Sequence, residues 1–385
     1  MIFCGRDEEV ARLTGGAIAG HLAVVTSKPG MGATTLLRAG LVPRLRAAGF
    51  ITVYHNEWQG RGFATLLKEA VAEAVREQAD DTFFAGSETL EQILCRALDT
   101  VRRPVALLLD QFEDYLRFHS KTDIAADFDA ELARAINCRV GQFTIATQEH
   151  AIGSLQRLDH LVPDLLGHRL ALEPLKVSAA RELVVALAKE AGLPIDDSVA
   201  NAFANARAAS TVDGVNPSLL VGGARRLLDA AAACRPPAAT VAIMEALGGA
   251  DRFILESLDP EIGKLNSSHE EVFFRWYDLL VSADLHRLAV TEQALVQRAG
   301  RLDRFAKTLL PLLLENGILR VVQIGGESRY ELSRESMTTV LQDWWSRHEA
   351  ALVARRRAQF RVRSMSIAAG SIAALYVVWL WMNWK

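Results

Sequence analysis

The chain has 385 residues, half of them apolar and 23% charged, with a formal net charge of −3. That length accommodates two or three domains with separate cores, and the near balance of charge gives no chain-wide reason to expect a nucleic-acid partner. Four scattered cysteines (Cys4, Cys95, Cys138, Cys234), without a CxxC or clustered histidines, argue against a disulfide framework or a zinc site. The opening MIFCGRDEEV has neither a basic nor an apolar leader region, so no signal peptide is expected.

From His21 to about Leu175 short apolar runs alternate with amphipathic stretches. LAVVTS, FITVYHNEW, PVALLLD, QFTIATQ and HRLALEPL read as strands buried on both faces, hence a parallel sheet with helices on either side. GFATLLKEAVAEAVREQ and LEQILCRALDTV carry apolar residues at i, i+3, i+4 and i+7, as core-facing helices do. Residues 1–175 are therefore expected to form an α/β domain.

The next segment, 176–247, is almost wholly helical. SAARELVVALAKEAGL starts at a Ser178 cap and stops at Gly192, and NPSLLVGGARRLLDAAAAC opens with Pro217 in its first turn. Residues 248–341 read as three helices followed by ILRVVQIGGESRYELS, where Gly325-Gly326 between alternating strands predicts a hairpin. Three helices and a two-stranded wing predict a winged helix. A charged helix over 342–363 is expected to lead into residues 364–384, SMSIAAGSIAALYVVWLWMNW, which contain no formal charge.

At a rise of about 1.5 Å per residue that last helix would cover a hydrocarbon core of about 30 Å. Arg355, Arg356, Arg357, Arg361 and Arg363 precede it and only Lys385 follows, which places the preceding domains on the cytoplasmic side. The expectation is a single-pass protein with a C-terminal anchor in membrane lipid.

The stretch Ala23–Leu45, AVVTSKPGMGATTLLRAGLVPRL, is a strand, a glycine turn and a helix start. A loop of this kind cradles phosphates on backbone N–H groups at a helix N-terminus, in the usual pattern G-x-x-x-x-G-K-[ST]. Here Ser27 takes the first glycine position, Lys28, Pro29, Gly30 and Met31 follow, Gly32 takes the second, and Ala33 stands in place of the lysine. Thr34, with Thr35 beside it, falls in the magnesium-ligand position. RRPVALLLDQFEDYL ends an apolar run in Asp110, as a metal-binding carboxylate at a sheet's C-terminal edge requires, and Glu113 is placed to polarise a water.

FCGRDEEVARL, SKPGMGATTLLRAGLVPRL and LLLDQFEDYL resemble the opening, loop and D-Q-F-E-[ED] strand of the STAND class of signalling NTPases, in particular its bacterial novel-STAND branch. The resemblance continues through ALEPLKVSAARELVVALAKEAGL and GVNPSLL, which is similar to the family's G-x-P segment, to SRYELSRESMTTVLQDWWSRHEA. It implies an α/β P-loop NTPase core, a helical lid, a winged helix and an ATP or ADP, with Mg²⁺, bound between them. It also implies switching through self-association. Pro217, Gln148 (where members usually carry Arg) and Arg334 (where they commonly carry His) join the loop residues as expected nucleotide contacts.

With Ala33 and Gln148 neutral, weak binding and slow or absent hydrolysis are expected, since phosphoryl transfer depends on positioned charge. Lys28 and Arg334 are the candidates for a replacement cation. No sensor repeat or enzymatic effector accompanies the core, so a protein partner is expected to supply sensing or output. The alternative is a non-catalytic, membrane-anchored scaffold whose nucleotide site has decayed. A DNA-binding regulator is disfavoured because the helix RFAKTLLPLLLENG before the wing is dominated by leucine, with only Arg304 and Lys307 basic.

Overall fold

Five parallel strands organise the first unit of the computed structural model: β1 (Leu22–Ser27), β2 (Ile51–His55), β3 (Val105–Leu109), β4 (Gly141–Gln148) and β5 (Arg169–Leu172). Their order across the sheet is β2-β3-β4-β1-β5. Each arises from one of the predicted apolar runs, and every residue of β1 and β3 is buried, as a sheet covered on both faces requires. Alternation sends Val24, Val53 and Leu107 into one core layer and Val25, Ala106 and Leu108 into the other. β4 lies between β1 and β3, so the loop after β1 and Asp110 after β3 face each other across one strand at the carboxyl edge.

The structure describes residues 3–60, 62–78, 83–119, 123–211, 213–255, 265–324 and 326–333, together with 337, 338, 340–342, 344–346, 348 and 349. Most of the expected connecting helix 342–363 lies outside the described residues, as do all of the expected transmembrane helix 364–384, Arg334 and the hairpin residue Gly325. Among the described residues no helix is long and apolar enough to cross a membrane.

A helix after the loop was expected; residues 33–47 are helical, but Leu36–Leu41 within them is π-helical. Pro43, two residues beyond Leu41, has no N–H to give to the preceding turn. Arg6, ahead of the first helix (Asp7–Gly20), donates to the carbonyls of Met31 and Glu173 at 3.3 and 2.6 Å, fastening the chain's start beneath the loop.

The second unit joins the helices Val177–Glu190, Asp197–Ala204, Pro217–Ala232, Val241–Ala246 and Gly249–Leu255 around one apolar core, with a small ribbon of β6 (Ser210–Thr211) and β7 (Gly214–Val215). That core runs past the boundary expected at 247, because Ile254 packs so closely on Gly223 that a Cβ there would lie 2.4 Å from it. Asn216 begins the lid helix Pro217–Ala232: its Oδ1 accepts from the N–H groups of Ser218 and Leu219 at 3.0 and 3.3 Å.

In the third unit the helices Ser267–Leu280, Glu292–Ala299 and Asp303–Glu315 pack around buried Trp276 and Phe273. Beside them lies an antiparallel sheet in the order β8-β10-β9, made by β8 (Val290–Thr291), β9 (Leu319–Ile324) and β10 (Glu327–Leu332). Three helices and the β9–β10 hairpin were expected. β8 was not, because two residues leave no periodicity to read.

Candidate functional site

At the carboxyl edge of the parallel sheet the loop after β1 opens a cavity of about 670 Å³. Gly30 and Gly32 adopt φ of 81° and 88°, a region costly for residues with a Cβ. The lid packs on this turn. Ser218 N–H donates to Gly30 O at 3.2 Å and Asn216 Nδ2 to Pro29 O at 3.4 Å, while a Cβ on Gly30 would lie 2.9 Å from Asn216 Oδ1. These bonds engage carbonyls on the lid side of the loop, so the loop is held in shape by its backbone and by the lid.

Asp110, only 2% exposed, lies opposite. Its Oδ2 accepts from Thr34 Oγ1 at 2.6 Å and from the Tyr54 hydroxyl at 2.7 Å, and Oδ1 accepts from Gln111 N–H at 2.9 Å. Burial pushes this carboxyl up from the ordinary range, while the bonds from Thr34, Tyr54 and Gln111 oppose that push. Thr34 and Asp110 thus meet, as their expected shared role requires. Their hydroxyl and carboxylate oxygens are of the hard type that suits Mg²⁺.

Glu113 starts the next helix, Phe112–Phe118, and its Oε2 accepts from Gln148 N–H at 3.2 Å. Burial, and then the neighbouring Asp114, push its carboxyl up to about 8, so near neutral pH it holds a proton. Two side-chain oxygens at the end of β4, Thr147 Oγ1 and Gln148 Oε1, are buried without a hydrogen-bond partner, and both residues line the cavity. Buried polar atoms in this condition call for a ligand or water.

The same helix also reaches the third unit. Asp114 binds Arg287 at 2.9 Å, Arg320 at 2.7 Å and Arg117 at 3.2 Å. Glu331, fully buried, binds Arg117 and Arg320, each at 2.8 Å. Three guanidiniums therefore surround two carboxylates, with Asp114 and Arg117 from the α/β unit and the other three residues from the third. Burial alone would raise the Asp114 carboxyl, but Arg287, Arg320 and Arg117 together hold it below the usual range. Beside the cluster the rings of His150 and His286 lie 4.1 Å apart across the junction. His150 titrates below the ordinary range, first because it is buried and then because His286, Arg117 and Arg287 repel a further positive charge.

Of the residues singled out in the sequence, Ser27, Lys28, Gly30, Met31, Gly32, Ala33, Thr34, Thr35, Asp110, Glu113, Gln148 and Pro217 all line the cavity. Pro29 does not; its carbonyl is turned to the lid. Arg334 lies outside the described residues. The sequence did not flag Tyr54, Asp114, Thr147, Asn216, Arg225 or Arg287. Asp114 closes the DQFED segment and Asn216 precedes Pro217 as a helix cap would, so both had a local signal. Tyr54 and Arg287 had none. Arg225 and Arg287 also line the cavity, from the lid helix and the third unit respectively.

The family model described as Novel STAND NTPase 1 matches residues 1–365. The chain belongs to the novel STAND NTPase family. No curated protein matches it. Among solved structures, it is similar to the Walker-type ATPase of Pyrococcus abyssi at 15% identity and a TM-score of 0.49, over 88% of this chain and 95% of that one. The Aeropyrum pernix ORC1 protein in complex with DNA matches at 18% identity and a TM-score of 0.48, over 90% and 94%. Thermotoga maritima RuvB, the Holliday junction branch migration motor, matches at 13% identity and a TM-score of 0.35, over 84% and 91%.

Proposed function

We propose that this STAND NTPase is a membrane-anchored switch that holds ATP or ADP with Mg²⁺ between its three units, hydrolyses it slowly or not at all, and signals by changing its assembly state. One observation carries the reading: a single cavity is walled at once by the phosphate loop, Asp110, the lid helix and Arg287 and Ser333 of the third unit. A ligand there touches every part that would have to move.

Apolar Phe3, Leu183, Leu187 and Val221 line the lid side and suit a base, while the loop, Thr147 and Gln148 offer polar groups to phosphates. Loop N–H groups bind anions without needing a lysine, and Arg225 is the lid's cation for the far end of a polyphosphate. Thr34 and Asp110 would hold Mg²⁺, which when bound neutralises phosphate charge. Glu113, protonated near neutrality and tied to Gln148, is a poor proton acceptor for an attacking water, in keeping with slow turnover.

The third unit acts in this reading as a winged helix latched by the Asp114–Glu331 cluster. Its release exposes a surface for self-association, with residues 364–384 as the anchor, the soluble units in the cytoplasm and a protein partner as trigger. The test is titration of the full chain in detergent with ATP and ADP, with and without Mg²⁺, following binding, turnover and particle size. Saturable Mg²⁺-dependent binding, little turnover and a nucleotide-dependent change in size are expected. No binding at millimolar nucleotide leaves an anchored scaffold instead.

A further inference from the structure

Asp110, the metal-site carboxylate, is held firmly by hydrogen bonds. One of them comes from a strand away. In the parallel pairing of β2 with β3, Tyr54 is level with Leu108. Leu108 and Asp110 are two residues apart in an extended chain, so Tyr54, Leu108 and Asp110 face the same side of the sheet. That register carries the phenol hydroxyl up to Asp110 Oδ2, 2.7 Å away. The Arg38 guanidinium, one turn beyond Thr34, lies over the Tyr54 ring at 5.1 Å from its centroid and keeps the ring in place.

A carboxylate offers about four acceptor positions. In Asp110 three are filled, two on Oδ2 by Thr34 and Tyr54 and one on Oδ1 by Gln111. A cation taking both Thr34 and Asp110 as ligands would bind a lone pair of the Thr34 hydroxyl, whose O–H can go on donating to Oδ2. The bond from Tyr54 is independent of the cation, because the phenol need not become a ligand. It would remain as a second side-chain tie fixing the orientation of the carboxylate.

We infer that Tyr54, braced by Arg38, is a positioning residue for a divalent cation held by Thr34 and Asp110. The inference rests on the nucleotide reading above and adds to it the residue that sets metal affinity. Outer-shell partners of metal ligands characteristically govern affinity by about ten- to a hundredfold.

The test is Tyr54→Phe in the full chain, with fluorescent ADP binding followed as Mg²⁺ is titrated and again in EDTA. The variant is expected to need about tenfold more Mg²⁺ for half-maximal enhancement of binding, while binding in EDTA, which also reports an intact fold, stays as in the parent. An unchanged Mg²⁺ requirement overturns the positioning role and leaves the nucleotide reading standing. A parent protein with no ADP binding under either condition overturns both. Should the Phe variant fail to fold, Arg38→Gln, which unbraces the ring and keeps its hydroxyl, decides the matter: a smaller shift in the same direction supports the role, and no shift overturns it.

Discussion

The helix Phe112–Phe118 serves two regions of opposite character. Toward the cavity, the loop that should carry a fixed cation has Ala33, and its shape comes from positive-φ glycines, hydroxyls and lid contacts. Toward the third unit, one turn away, three arginines crowd two buried carboxylates. The one cation expected at the loop's helix start is absent, while charge is dense where two units meet. In a nucleotide motor the strongest fixed charges belong at the γ-phosphate, where they act on the transition state. Placed at a junction, they hold two units together.

The largest effect should come from breaking the charged side. Glu331→Ala removes one of the two carboxylates from three guanidiniums, which keep Asp114 as acceptor. The expected loss is about 3 kcal/mol, the low end for breaking a buried ion pair. Chemical denaturation should show that loss, and protease should cut the third unit free of the first more readily. Restoring the missing cation sharpens the other side: Ala33→Lys adds a charged hydrogen bond worth about 1.5–3 kcal/mol, hence roughly ten- to hundredfold in nucleotide affinity. Calorimetric titration checks it. Asn216→Ala removes the lid-helix cap and its contact with Pro29, so stability should fall by about 1 kcal/mol, and nucleotide should bind and leave faster.

Two pH effects separate the regions further. Glu113, raised to about 8, gives stability that is complete below its unfolded value of about 4.3 and is lost as pH rises through 8. Glu113→Gln should therefore flatten the fall in melting temperature between pH 5 and pH 8, about the span of those two values. His150 is shifted the other way, so its contribution is present above about pH 6.5 and is lost as pH falls below it. Protease release of the third unit should rise at acid pH in the parent and less so in His150→Gln.

The strands and the loop were legible because they are local: an apolar run, a glycine turn and an acidic run-end are each written in consecutive residues. Asp110 and Thr34 could be paired in advance because both stand at the carboxyl edge of one parallel sheet. The π-helix at Leu36–Leu41 was hidden because its apolar spacing passes for that of an α-helix. Tyr54 looked like one more strand aromatic, and only the sheet order brings its hydroxyl to Asp110. Asp114 and Glu331 are 217 residues apart by their numbers, and no pattern along the chain joins them. The charged junction was thus invisible in sequence, while Ala33 in place of the loop lysine, read as a departure, was visible at once.

The most direct test of the central claim, that backbone amides and a metal carboxylate hold a polyphosphate without the loop lysine, is an isotherm of ADP and ATP on the full chain in excess Mg²⁺ and in EDTA. Saturation in Mg²⁺ at millimolar or lower nucleotide, weakened in EDTA and strengthened in Ala33→Lys, is the predicted result. A flat isotherm for the parent in Mg²⁺, whether or not Ala33→Lys restores binding, would contradict it.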